Sequence, residues 1–209
     1  NGDIVTMTQK QNISKFKNNV IDVSGLARAN LFAVDLGFPD AVKNASNWTE
    51  NTGGKYAGKP ETLGKFFVRA AQLPSSTIGV VEVPFRGRML KIAGDRTFEP
   101  WTITIMNDQN YTIRSAMEIW LGQIQETDHN FSNLGVVTPK TGTATDHTYG
   151  TMTVRQLSRG GTQGKIVEYK FKNCYPSSIS AIDLDWGSND AIQEYTVEFQ
   201  ISHWEETYA

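Results

Sequence analysis

Four carboxylates near the C-terminus, Asp183, Asp185, Glu194 and Glu198, have the types and spacing that could do chemistry. A facing pair could hydrolyse a glycosidic bond, one member acting as general acid and the other as base or nucleophile, provided burial raised one of the two pKa values. Here the carboxylates alternate with apolar residues. Ile182, Leu184 and Trp186 interleave with Asp183 and Asp185, and Tyr195, Val197, Phe199 and Ile201 interleave with Glu194, Thr196, Glu198 and Gln200. Acidic groups on the polar side of such a pattern face solvent, which argues against catalysis. A calcium site would call for a loop with EF-hand ligand spacing, which the sequence lacks. The plainest expectation is a solvated face of an antiparallel sheet; in a ring of subunits the same face would line a pore.

Other candidate groups are weaker. Gly53-Gly54-Lys55-Tyr56-Ala57-Gly58-Lys59-Pro60 nearly spells a phosphate-binding loop, but Pro60 stands where magnesium needs a hydroxyl, and no strand and helix frame the motif. His129 and His147 fall in a polar stretch without a third ligand, so no metal is expected. Cys174 is the single cysteine and reads as a small buried thiol. No cofactor and no enzymatic activity are expected. Arg86, Arg88, Lys91 and Arg96, with Asp95 among them, crowd a span that reads as a hairpin or an exposed loop, either simply solvated or in contact with an acidic surface.

That acidic surface exists within the chain. The 209 residues carry 20 Lys and Arg against 22 Asp and Glu, yet seven of the acidic residues and none of the basic ones lie after Cys174. The two parts therefore have charges of +5 and −7, a split expected when unlike surfaces face different neighbours. A nucleic-acid-gripping protein would show a net basic footprint, which this chain lacks. No apolar run is long enough to cross a bilayer, so a soluble protein made in a reducing compartment is expected. The Asn-x-Ser/Thr triplets beginning at Asn12, Asn44, Asn47, Asn110 and Asn130 read as chance in a chain so rich in these residues.

The elements that would position these groups follow from periodicity. Trp101, Ile103 and Ile105 alternate with Thr102 and Thr104, a half-buried strand, and Asn107 and Asp108 then cap a helix over about 109–124. Ile113, Ala116, Met117, Trp120, Leu121 and Ile124 give that helix one core-facing stripe. Further strands are predicted over 30–36, 65–71, 77–85, 151–157, 165–172, 179–186 and 194–204, with Arg86-Gly87-Arg88 followed by the apolar run Met89 to Ala93. Residues 1–19 of a leading segment (1–29) read as an extended or partly ordered arm, and 40–64 and 127–150 as long polar loops. The expected fold is mainly β, an antiparallel β-sandwich or barrel with one flanking amphipathic helix, formed by residues 1–209 as a single domain.

Two long motifs carry a resemblance. Ala93-Gly94-Asp95-Arg96-Thr97-Phe98 followed by Trp101-Thr102-Ile103-Thr104-Ile105-Met106-Asn107-Asp108, and Leu184-Asp185-Trp186-Gly187-Ser188-Asn189-Asp190-Ala191-Ile192-Gln193, resemble the tail tube proteins of contractile-tailed bacteriophages. The similarity extends to Leu73-Pro74, Tyr175-Pro176 and His203-Trp204-Glu205, and covers most of 30–205 in the same order. It implies hexameric rings stacked into a hollow tube inside a contractile sheath, within the virion tail after assembly in the host cytoplasm. The implied partners are further copies of the chain, the tail sheath protein, baseplate and tail-terminator proteins, the tape measure protein in the lumen, and phage DNA in transit, without sequence-specific binding or stable membrane insertion. Type VI secretion tube proteins are similar in architecture.

On that footing Asp183, Asp185, Glu194 and Glu198 would face the lumen, where an acidic wall repels a passing duplex. Arg86, Arg88, Lys91, Asp95 and Arg96 would serve subunit contacts. The alternative from another class is a monomeric carbohydrate-binding β-sandwich with Trp48, Tyr56 or Trp204 as stacking platforms.

Overall fold

The computed structural model describes residues 13–22, 26–43, 60–125, 149–158 and 164–208. In chain order the elements are α1 (Ile13–Asp22), β1 (Phe32–Gly37), α2 (Asp40–Lys43), α3 (Pro60–Phe67), β2 (Val68–Ala71), β3 (Ser76–Phe85), β4 (Arg88–Phe98), β5 (Trp101–Met106), α4 (Thr112–Ile124), β6 (Gly150–Leu157), β7 (Lys165–Ile179), β8 (Glu194–Gln200) and β9 (His203–Tyr208). The fold is mostly β, with antiparallel pairing throughout the described strands. It is a sandwich with helices at its flank, and the described strands do not close into a barrel.

One layer is β1, β6, the first part of β7, and β9; the other is the last part of β7, then β8, β5 and β2. The single strand β7 thus serves both layers. It passes from one to the other at Asn173, whose φ of 53° lies in the left-handed region that Asn tolerates better than most residues. The β6 to β7 register shifts at the same place, between the pairs Met152 to Phe171 and Gly150 to Cys174.

Alternation decides the core. Trp101, Ile103 and Ile105 of β5 and Tyr195, Val197 and Phe199 of β8 are all buried, against Val34, Leu36, Met152, Val154 and Phe171 of the facing layer. The Trp101 and Phe171 rings join the layers at a centroid distance of 4.6 Å. Full burial of each such side chain contributes about 1.5–3 kcal/mol. Helix α4 closes one end of this core with Ile113, Ala116, Met117 and Trp120. Beneath it Gly37 and Gly150 let two backbones pass: a Cβ on Gly150 would sit 2.6 Å from both the Gly37 carbonyl oxygen and the Trp120 ring.

Several sequence expectations require correction. The expected loop over 40–64 contains α2 and the start of α3, because Pro60 and Glu61 suit a first helical turn and Gly64 lets the helix lie against Leu36. The strand expected over 65–71 therefore begins only at Val68. Within the expected arm, Ile13–Asp22 is helical. Helix α4 begins at Thr112, three residues later than the expected Gln109; the Asp108 carboxylate still accepts from the Thr112 backbone N–H (2.9 Å) and hydroxyl (2.7 Å). Strand β7 runs on to Ile179, whereas 180–193 is not strand at all. The last strand divides at Ile201-Ser202 into β8 and β9, which pair with different parts of β7. Of the expected loop over 127–150, Gly150 already begins β6, and 127–148, with His129 and His147, lies outside the described residues, as do Trp48, Tyr56 and the glycine-rich 53–59 segment.

Candidate functional site

The chemistry-bearing residues gather on two surfaces. The first is the hairpin of β3 and β4, a two-stranded sheet of its own. Its turn is Arg86-Gly87, with φ of 43° and 81°, the positive pair of a two-residue turn matched to strand twist. Val81, Val83 and Phe85 share one face with Ile92 and Leu90; Val80, Pro84, Ala93 and Met89 share the other with an ion pair of 3.8 Å between Glu82 and Lys91. Both faces are open to solvent, Phe85 being 67% exposed and Ile78 57%. A lone two-stranded sheet is marginally stable in water, and contiguous apolar surface of this kind marks a contact site.

The five charged residues expected at subunit contacts have different local roles. Arg86 and Arg88 stand at the tip, with no acidic partner among the described residues. Lys91 pairs across the hairpin with Glu82. Asp95 sits at the bulge where Gly79 and Gly94 bring the strands close. Arg96 works at the base: its guanidinium lies 4.9 Å from the ring centroids of both Phe98 and Trp204, and its Nε donates to Ser76 Oγ at 3.1 Å. Trp204, so sandwiched with Phe98 and Tyr169, is not an open stacking platform for sugars.

The second surface is acidic. Asp183, Asp185, Glu194 and Glu198 do not share the face of two adjoining strands, because Asp183 and Asp185 belong to the irregular 180–193 segment. The fold nevertheless brings Asp183, Asp185 and Glu194 to one open concavity of about 570 Å³, together with Leu184, Trp186 and Ile192. Glu198 lies apart along β8, accepting from Ser177 Oγ at 3.2 Å. Nor is the surface free of positive charge, since Arg69 reaches across β5 to form an ion pair with Glu194.

Both ends of the 180–193 segment are pinned. At its start Ser180 N–H donates to the Thr196 carbonyl (2.9 Å), and Arg114 Nη1 of α4 donates to the Ser180 carbonyl (3.1 Å). At its end Gln193 accepts from Asn107 and Tyr111. In between, the Asp185 carboxylate accepts from the Gly187 N–H at 3.0 Å, and Asp190 adopts a φ of 62°. Sequence reading missed Arg69, Arg114 and Gln193 because their partners lie 66 or more residues away. Trp186, fully exposed, and Leu184, 77% exposed, were expected on a core-facing strand side. Tyr195 and Cys174 are deeply buried, which pushes both their pKa values up, the thiol to about 12, so Cys174 stays protonated and unreactive. Among the described residues no group of three or more His, Cys, Asp or Glu is placed to hold a metal ion, and no helix is long and apolar enough to cross a membrane.

Comparison with known proteins bears on these surfaces. The tail tube protein gp19 of Enterobacteria phage T4 is 29% identical over 185 residues, 86% of this chain and 91% of that protein. Its counterpart in Enterobacteria phage T6 is 30% identical over 184 residues, with the same coverage. Among solved structures, a chain of the extracellular contractile injection system PVC sheath-tube complex in the extended state aligns with a TM-score of 0.57 at 14% identity, covering 91% of this chain and 97% of that one. A chain of the anti-feeding prophage baseplate aligns equally well, with a TM-score of 0.57 at 12% identity, covering 88% and 96%. Residues 27–207 match the family model for the phage tail tube protein, and the chain belongs to that family.

Proposed function

We propose that this chain is the repeating subunit of the inner tube of a contractile phage tail, joining copies of itself into hexameric rings that stack into a conduit for DNA. The observation that carries the reading is the β3 and β4 hairpin, whose apolar residues are exposed on both faces. Contact with another molecule covers such an arm and supplies the support that a two-stranded sheet lacks. Four sheet margins support it: among the described residues β1, β2, β9 and the Tyr175–Ile179 end of β7 each pair on one side only. Lateral closure of a ring removes open margins of this kind. Distinct surfaces for lateral joining and for stacking produce an open-ended filament.

The outer face of the β5 and β8 layer is the proposed lumen wall. Thr102, Thr104, Thr196, Glu198 and Gln200 point away from the core there, and among the described residues no basic residue pairs with Glu198. Repeated around rings, that carboxylate and the hydroxyl rows make a surface to which phosphates do not adhere. Asp183 and Asp185, off the sheet, belong to the rim of this wall. The sheath would surround the tube, baseplate and terminator proteins would meet its ends, and tape measure protein and then DNA would occupy the lumen. Catalysis has no part in this role. The match to phage tube sequences favours a phage tail over a type VI secretion tube. Negative-stain electron microscopy of the concentrated protein tests the proposal: rings or tubes are expected, and a strictly monomeric species at high concentration overturns it.

A further inference from the structure

Building on the tube reading, we propose that the hairpin tip of one subunit, Phe85-Arg86-Gly87-Arg88-Met89, seats in the 181–194 concavity of a neighbouring copy. The two surfaces complement each other in charge and in apolar content. The tip offers two guanidinium groups without acidic partners among the described residues and two exposed apolar side chains, Phe85 and Met89. The concavity offers Leu184, Trp186 and Ile192, all largely exposed, beside the carboxylates of Asp183 and Asp185. The third carboxylate there, Glu194, is already neutralised within its own chain by Arg69. Two cations thus meet two available anions.

Each surface is built in advance. The ten residues of β3 project the tip roughly 30 Å from the hairpin base at about 3.3 Å per residue. The base is clamped by Arg96 between Phe98 and Trp204. The concavity is fixed at Ser180 by Arg114 and at Gln193 by Asn107 and Tyr111. Arg86 itself is informative. At a φ of 43° a turn of this kind favours Asn, and a long side chain there works against hairpin stability. A charge held at a conformationally costly position, stacked 5.6 Å above Phe85, points to use of that charge at the tip. Because tip and concavity are different surfaces, the contact is head to tail, and placed between rings it repeats along the tube.

Cross-linking tests the pairing. Tubes of the Arg88→Cys/Asp185→Cys variant, treated with a short bis-maleimide, are expected to give a ladder of covalent oligomers on a denaturing gel, whereas either single variant gives none; Cys174 is fully buried and stays silent. Normal tubes without a ladder overturn the pairing while leaving the tube reading intact. Charge exchange provides an independent measure should the cysteine variant fail to assemble. Arg86→Glu/Arg88→Glu and Asp183→Arg/Asp185→Arg should each raise the critical assembly concentration by about tenfold or more, and the four changes together should restore it. Folded monomers that stay unassembled when all four changes are combined overturn the pairing. If the unaltered chain forms no tubes, the tube reading itself fails and takes the pairing with it.

Discussion

Asn107 and Gln193 are joined twice. The Asn107 backbone N–H donates to the Gln193 carbonyl at 2.9 Å, and Asn107 Nδ2 donates to Gln193 Oε1 at 3.0 Å. Asn107 is the next-to-last residue of one motif that carries the family resemblance and Gln193 ends the other, so segments 86 residues apart meet at one point. Tyr111 OH donates to the same Oε1. Gln193→Ala should therefore cost about 1–2 kcal/mol in urea unfolding and speed hydrogen exchange over 181–192, since a half-buried amide loses its acceptor.

Asp108 holds the first turn of α4 with both carboxylate oxygens, at 2.9 and 3.1 Å from the Thr112 nitrogen. Asp108→Ala should lower stability by about 1 kcal/mol, and Asp108→Asn should retain most of it. Thermal denaturation of the three proteins checks the order.

Two glycines should respond in opposite senses. A methyl group at Gly150 meets the Trp120 ring and the Gly37 carbonyl at 2.6 Å, so Gly150→Ala should cost about 1–3 kcal/mol. Gly122, inside α4, has nothing within 4 Å of such a methyl group. Gly122→Ala should gain about 0.5–1 kcal/mol. Chemical denaturation of both variants is the measurement.

Arg96 and Arg88 separate folding from assembly. Arg96→Ala removes the cation between Phe98 and Trp204 and should destabilise the monomer by about 0.5–1 kcal/mol, with a change in Trp204 emission. Arg88→Ala should leave monomer stability unchanged and weaken tube formation. Unfolding curves and sedimentation of the same samples read the two effects separately.

Alkaline pH should weaken the fold. Burial raises the folded pKa of Cys174 from 9.0 to about 12 and raises that of Tyr195 as well, so folding favours the neutral form of each. A raised folded pKa contributes stability that is complete below the unfolded value and lost as pH rises past it. The urea midpoint should thus be insensitive to these groups below about pH 8 and fall from about pH 9 toward 12. Cys174→Ser and Tyr195→Phe should each flatten that decline.

The elements most legible in the sequence are those whose period and burial agree. β5, β8 and the stripe of α4 bury most of the apolar set that their spacing names, Trp101 to Ile105, Tyr195 to Phe199, and Ile113 to Trp120, with Leu121, Ile124 and Ile201 half-buried. α3 escaped because Lys65, Phe66 and Phe67 resemble the start of a strand, and the contact that fixes the helix, Gly64 against Leu36, is made with β1. β7 read as two pieces because Asn173 and Pro176 interrupt its pattern where it changes layers. The 180–186 stretch shows the opposite failure. Its alternation is that of a strand, yet Leu184 and Trp186 are open to solvent, and an apolar side chain exposed for another molecule is spelled the same way as one buried in its own core. The acidic cluster was legible as residue types, and its grouping around a concavity was not, because Arg114, Asn107 and Gln193 arrange it over long sequence separations.

That one strand, β7, belongs to both layers has a mechanical meaning. A pull or push delivered to either half of the sandwich travels to the other along a covalent backbone, and does not depend on interlocked side chains that could slip. The two layers are thus threaded on one backbone, and Asn173 marks the bead at which the thread turns.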